Sequence, residues 1–234
     1  MRSQKPGKAP GADRILPEML RLVIKVPVAV KVIQALFNHC LSSKFVPPVW
    51  KNADICLIPK DEGTDWRPIS LCSVISKSYE KIIADRLALY MEKYLFAELS
   101  DQYGFRPGKG CQQVFLMISE KIKQAINDGG YCIVQSLDFR KAYDKQNIYL
   151  CLRKLLNLVG DKNAHFVEAI MRTIEHRKIA CIDGVSRAKR KTVLLGIPQG
   201  SPLSVFLFNA HVWDLMEEQT WTNIITSQHY TLLP

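Results

Sequence analysis

Residues 192–213, Thr192 to Trp213, carry no Asp, Glu, Lys or Arg, and no longer uncharged run exists in the chain. A stretch this apolar belongs either in a lipid bilayer or in a protein core. Gly196, Pro198, Gln199, Gly200 and Pro202 lie in its first half. They break a continuous helix there and would leave backbone groups unpaired in hydrocarbon, so a membrane span is rejected. What remains is a turn-rich segment, "GIPQGSPLS" (196–204), opening onto a mostly buried helix in "SPLSVFLFNAHVWDLMEEQ". The rest of the chain must bury that helix, and 234 residues of 47% hydrophobic content suffice for one sizeable core.

The other elements follow from periodicity and punctuation. From Ile15 to Leu41 apolar residues recur at helical spacing, with a break or shift near Pro27. A strand is expected over Ala53 to Ile58, returning through "KDEGTDW" to "RPISL" as a hairpin. Residues 74–97 read as an amphipathic helix, and 111–127 as a second one stopped by Gly129–Gly130. The run from Tyr131 to Leu137 reads as a buried strand ending on Asp138. "KAYDKQNIYLCLRKLLNLVG" and "NAHFVEAIMRTI" read as helices, and "RKIACIDG" with "KRKTVLLG" as an antiparallel pair. No repeat or low-complexity linker divides the chain. The order predicts an α/β (α+β) fold around a single central sheet.

Thirty-two basic against 22 acidic residues give a net charge of +10. That balance favours polyanionic partners, nucleic acid before an anionic membrane, although a merely soluble basic surface is equally compatible with it. The seven cysteines form no CxxC pair, and the five histidines do not join them at zinc-site spacing. A disulfide framework is therefore not expected, and the start "MRSQKPGKAP" leads into no apolar signal core. The expected location is intracellular, cytoplasm or nucleus, and not secreted. "GFRPGKGC" lacks the spacing and the Ser or Thr of a phosphate-binding loop, and no GxSxG or HExxH occurs.

Three groups of residues can carry chemistry. Asp138 at a strand end is costly to desolvate unless compensated: it either caps the following helix or holds a metal ion. Tyr143 either packs in the core or lies beside a bound nucleotide. Gln199 and Gly200 combine a donor–acceptor side chain with close backbone approach, although an ordinary turn before a helix has the same composition. Lys60 and Arg67, across the hairpin, are suited to gripping a triphosphate, or form a solvated charge pair.

The ordered series "KAPGADRI", "WKNADICLIPK", "WRPISL", "KSYEKIIADRL", "QYGFRPG", "LDFRKAYD" and "GIPQGSPLS" resembles a reverse transcriptase. The resemblance covers roughly residues 5–215 and is strongest to the enzymes of non-LTR (LINE-type) retrotransposons, with group II intron enzymes next. It implies a polymerase right-hand fold: a lead-in over 1–14, a fingers-type region over 15–130, a partial palm over 131–218 and a divergent tail over 219–234. It implies two-Mg2+ nucleotidyl transfer on an RNA template and DNA primer with dNTP substrates. Asp138 is then the first catalytic carboxylate, and the backbone carbonyl of Phe139 a second metal contact. Tyr143 lies under the sugar and disfavours a 2′-OH. Arg67 and Lys60 hold the triphosphate. Gln199 and Gly200 lie beside nucleotide and template, Arg106 touches nucleic-acid backbone, and Asp144 is structural.

One departure stands against these matches. The family carries a pair of adjacent aspartates on a hairpin after the helix that follows "GIPQGSPLS", and no Asp-Asp occurs anywhere in this sequence. Asp214, Glu217 and Glu218 do not substitute by position. The expectation is a reverse transcriptase fragment, an RNA-directed DNA polymerase by family but catalytically incomplete by itself. The alternatives are a non-catalytic RNA- or DNA-binding remnant, or a group II intron-type fragment.

Overall fold

The computed structural model describes residues 6–59, 66–94, 102–134, 138–183 and 186–213. Two helices open it, α1 (Pro17–Val23) and α2 (Pro27–Ser42), each with a proline in its first turn. Proline is tolerated there because the N–H it lacks has no partner within the helix. The break expected near Pro27 is thus the start of a new helix. After a 3-10 turn, Pro48–Lys51, β1 (Asn52–Pro59) pairs antiparallel with β2 (Trp66–Leu71), Ile58 opposite Arg67.

The chain then passes through α3 (Val74–Tyr94), α4 (Cys111–Asn127), α5 (Ile148–Val159) and α6 (Ala164–Ile174). It returns as β3 (Arg177–Ile182), parallel to β1 with Asn52 opposite Lys178. β4 (Lys191–Val193) pairs antiparallel with β3, and α7 (Ser204–Val212) follows. The strand order is β2-β1-β3-β4. This mixed α/β arrangement around one sheet is the architecture the pattern predicts.

Helices α3, α5, α6 and α7 share one core, in which Met91, Leu155, Ile170 and Leu207 are buried. Ile148, Cys151, Leu152, Leu155 and Val159 form the inward stripe of α5. α5 begins later than the sequence suggests, because the Asn147 side chain caps it by accepting from Leu150 N, while Lys141 sits in the left-handed region. Phe37, Trp50 and Tyr79 tie α2 and the 3-10 turn to α3, with ring centroids 5.5 to 6.0 Å apart. All seven cysteines are free, in line with their spacing.

The strand expected over 131–137 is not formed over 131–134, and residues 135–137 lie outside the described residues. Tyr131 and Ile133 are more than four-fifths exposed. Alternation and β-branching make a segment fit for a sheet, but a strand exists only when a neighbour takes up its backbone groups. Among the described residues the sheet runs β2-β1-β3-β4, and residues 131–134 pair with neither edge.

Candidate active site

The segment 196–200 is laced between two other parts of the chain. On one side, Gly196 N donates to Gln146 O and Ile197 N to Tyr143 O. On the other, Ser70 N in β2 donates to Gln199 O at 2.9 Å. The two glycines are required where the backbones meet. Gly196 has φ 76, and a Cβ there would lie 2.7 Å from the Asp144 carbonyl oxygen; at Gly200, φ 127, it would lie 2.8 Å from Ser70 O. The turn around 139–146, the 196–200 loop and the edge strand bearing Arg67 are therefore held against one another by main-chain contacts.

The side chains follow that frame. The Tyr143 ring stacks on Phe208 of α7, with centroids 5.7 Å apart and planes 18° apart, and Phe139 meets the same ring edge-on at 6.0 Å. Phe208 is itself buried, so both aromatics flanking the turn rest on one fixed support. Gln199 Nε2 lies 3.5 Å from Asp144 Oδ1, at the limit of a hydrogen bond. Arg67 is exposed on β2, three positions before Ser70. Lys60 lies outside the described residues.

The surroundings of Asp138 and Arg106 add to what their motifs indicate. Asp138 is exposed and ends no described strand. It does not incur the desolvation cost that prompted the search for a compensating partner, because water solvates it. Arg106 is engaged within the chain: its Nη2 donates to Glu92 Oε1 at 2.7 Å, its Nε to Glu92 Oε2 at 3.2 Å and its Nη1 to Gln102 O at 3.0 Å. Its side chain is only 7% exposed. The same fork holds the Glu92 carboxyl below its usual range, chiefly through the hydrogen bond from Arg106. These bonds tie the 102–110 loop to α3.

Sequence reasoning missed the support beneath the loop. Glu80 of α3 is buried; Ser76 Oγ donates to its Oε1 at 2.8 Å and Ser201 Oγ to its Oε2. Arg177, also buried, donates to the carbonyls of Gly196 and Ile174. Ser204 Oγ donates to Pro198 O at 2.7 Å. Both ends of the loop are thus fastened to buried ionisable groups. Burial pushes the Glu80 carboxyl above its ordinary value despite the opposing serine bonds, and pushes Arg177 down. A signal existed for Glu80: it falls at helical spacing among Ser76, Ile83, Leu87 and Met91, all buried in α3.

No group of three or more His, Cys, Asp or Glu that could hold a metal ion occurs among the described residues. Asp138 and Asp144 share the turn, but Asp144 is turned to Gln199. Among the described residues the protein donors at the turn are too few to hold a divalent cation by themselves; Mg2+ draws its remaining oxygen ligands from water and substrate phosphates. Asp214, Glu217 and Glu218 lie outside the described residues. No described helix is long and apolar enough to cross a membrane.

Comparison with known proteins bears on the family and the fold. The family model described as "Reverse transcriptase (RNA-dependent DNA polymerase)" matches residues 58–231. The chain is 29% identical over 215 residues to the probable RNA-directed DNA polymerase from transposon BS of Drosophila melanogaster, covering 89% of this chain and 23% of that protein. It is 30% identical over 218 residues to the probable RNA-directed DNA polymerase from transposon X-element of the same organism, covering 91% and 23%. The chain thus spans about a quarter of the length of these curated relatives. Among solved structures, apo telomerase from Candida tropicalis, truncated from its C-terminal domain, superposes with a TM-score of 0.53 at 14% identity, over 82% of this chain and 44% of that one. At that identity the likeness is one of fold.

Proposed function

Because the chain belongs to the reverse transcriptase (RNA-dependent DNA polymerase) family, in the form carried by non-LTR retrotransposons, we propose that it supplies the nucleotide- and template-facing part of an RNA-directed DNA polymerase. Residues 15–130 act as the fingers-type region and 131–218 as a partial palm. Arg67, with Lys60, holds the triphosphate of the incoming dNTP by charge-assisted hydrogen bonds. Tyr143 lies against the sugar. Its ring cannot retreat, because Phe208 stacks behind it, and a fixed wall at that place excludes a 2′-OH by contact. Gln199 and Gly200 bear on the base pair being formed; the loop that carries them is held against β2, where a side chain at Gly200 would collide with the Ser70 carbonyl.

Asp138, with the carbonyl of Phe139, is the donor this chain offers toward Mg2+, which in such enzymes neutralises charge on the transferring phosphoryl group. One exposed carboxylate does not hold that ion in place. The 234 residues contain no adjacent aspartate pair. The chain by itself therefore binds nucleotide and template without joining nucleotides at a measurable rate.

The observation carrying this reading is the main-chain lacing of the Asp138–Gln146 turn, the Gln199–Gly200 loop and β2 into one unit. Primer extension on an RNA template with Mg2+ and dNTPs tests it. The expected result is no product, with dNTP binding that is lost in Arg67→Ala. Extension that disappears in Asp138→Ala would show a complete catalytic site and overturn the reading.

A further inference from the structure

At the end of the sheet remote from the β1–β2 turn, the segment after α2 and the corner between α6 and β3 enclose a cavity of about 510 Å3, large enough for a nucleotide. Lys44 and Lys51 line one wall, Arg172 and Lys178 the other. Two carboxylates offset part of this charge. Glu168 lies 2.7 Å from Lys44, Glu175 lies 3.5 Å from Lys51, and Arg172 meets both. Four cations against two carboxylates leave two positive charges, and Lys178 enters no ion pair among the described residues. Phe45 sets a ring that is 51% exposed among these cations.

The basic surface continues along the sheet. Strand register places Asn52, Asp54 and Lys178 on one face. There Arg187 and Arg190 both bind Asp54, two guanidiniums over one carboxylate, so a positive charge remains. Arg67, opposite Ile58, stands on that same face. From Ile58 back to Asn52 the strand covers about 20 Å at roughly 3.3 Å per residue.

A lysine with no ion pair among the described residues and an exposed ring lining the same nucleotide-sized hollow are the combination that single-stranded nucleic acid recognises: cation to phosphate, ring to base. We propose that this cavity is a second nucleic-acid site, which seats one nucleotide of a single strand with its base on Phe45 and its phosphate at Lys178. It lies beyond the nucleotide site proposed above and does not depend on the residue roles assigned there.

Anisotropy of a fluorescein-labelled oligo(U) RNA of about 12 nucleotides, titrated with the whole chain across a salt series, tests the proposal. Lys178→Glu is expected to weaken binding about tenfold at low salt and to reduce the log–log salt slope by about 1. Phe45→Ala is expected to weaken it roughly tenfold with the slope unchanged. Lys123→Glu, the same charge reversal at an exposed position of α4, should change affinity less than about threefold. Lys178→Glu and Phe45→Ala should leave dNTP binding nearly intact, which separates this site from the first. Unchanged affinity in Phe45→Ala, or equal losses in Lys123→Glu and Lys178→Glu, would mean diffuse charge rather than a site and would overturn the proposal. So would complete displacement of the RNA by millimolar AMP, which would mark the occupant as a free nucleotide.

Discussion

Replacing Glu80 probes the clamp under the Gln199–Gly200 loop. Its two carboxylate oxygens each accept from a serine, one on α3 and one in the loop, inside a fully buried setting. Hydrogen bonds to a charged acceptor contribute about 1.5–3 kcal/mol each, and Glu80→Ala leaves both hydroxyls without their acceptor. The expected loss is about 4 kcal/mol, which for a domain of this size lowers Tm by roughly 8–16 °C. Glu80→Gln keeps the volume and one acceptor oxygen and should cost about 1 kcal/mol near neutral pH.

The pH dependence has a definite sign. The folded carboxyl titrates above its ordinary value of 4.5 because burial outweighs the serine bonds. Its contribution to stability is complete below the unfolded value and is lost as pH rises through the folded one. Wild type should therefore gain stability relative to Glu80→Gln as pH is lowered from neutrality toward the ordinary carboxyl value of 4.5, all other groups being common to both. Urea unfolding followed by circular dichroism measures both effects. Equal stability of the Ala and Gln variants, or a pH-independent gap between wild type and Gln, would refute the reasoning.

Three further outcomes are expected. Gly196→Ala forces a Cβ to 2.7 Å from the Asp144 carbonyl at φ 76 and should cost about 3 kcal/mol in thermal unfolding. Arg106→Ala should lower stability by about 1 kcal/mol, chiefly through the lost Gln102 contact, because Glu92 is more than a third exposed and water solvates it, yet leave the salt slope of oligo(U) binding unchanged; a smaller slope would mark Arg106 as a nucleic-acid contact. The buried Tyr79 hydroxyl has no hydrogen-bond partner among the described residues, and burial pushes its pKa up to about 12. Tyr79→Phe should therefore raise stability by up to about 1 kcal/mol, and should remove one late-titrating phenol from the alkaline absorbance curve.

Most helices and the hairpin were readable because their signals are local. Pro27 marks a helix start, the "IYLCLRKLLNLV" stripe repeats at helical spacing, and "DICLIP" and "RPISL" flank a charged turn. The strand at 131–137 misled because its apolar alternation says nothing about whether an edge stands beside it. The partners of Arg106 and Arg177 were hidden for a similar reason: Glu92 is fourteen residues away and Gly196 nineteen, and only packing brings them together. Asp138 was identified by motif, while its exposure depends on what covers the turn. The loop glycines were read as letting a substrate approach the backbone; what the structure shows close to them are the carbonyls of Asp144 and Ser70, which only the fold brings there.

Hydrogen–deuterium exchange on the whole chain with an RNA–DNA primer-template, with and without millimolar dTTP and Mg2+, tests the central claim directly. If the turn, the loop and β2 form one nucleotide-holding surface, dTTP slows exchange together in peptides covering 139–146, 66–71 and 196–204, and the protection vanishes in Arg67→Ala. Protection confined to one of the three, or surviving Arg67→Ala unchanged, would contradict it.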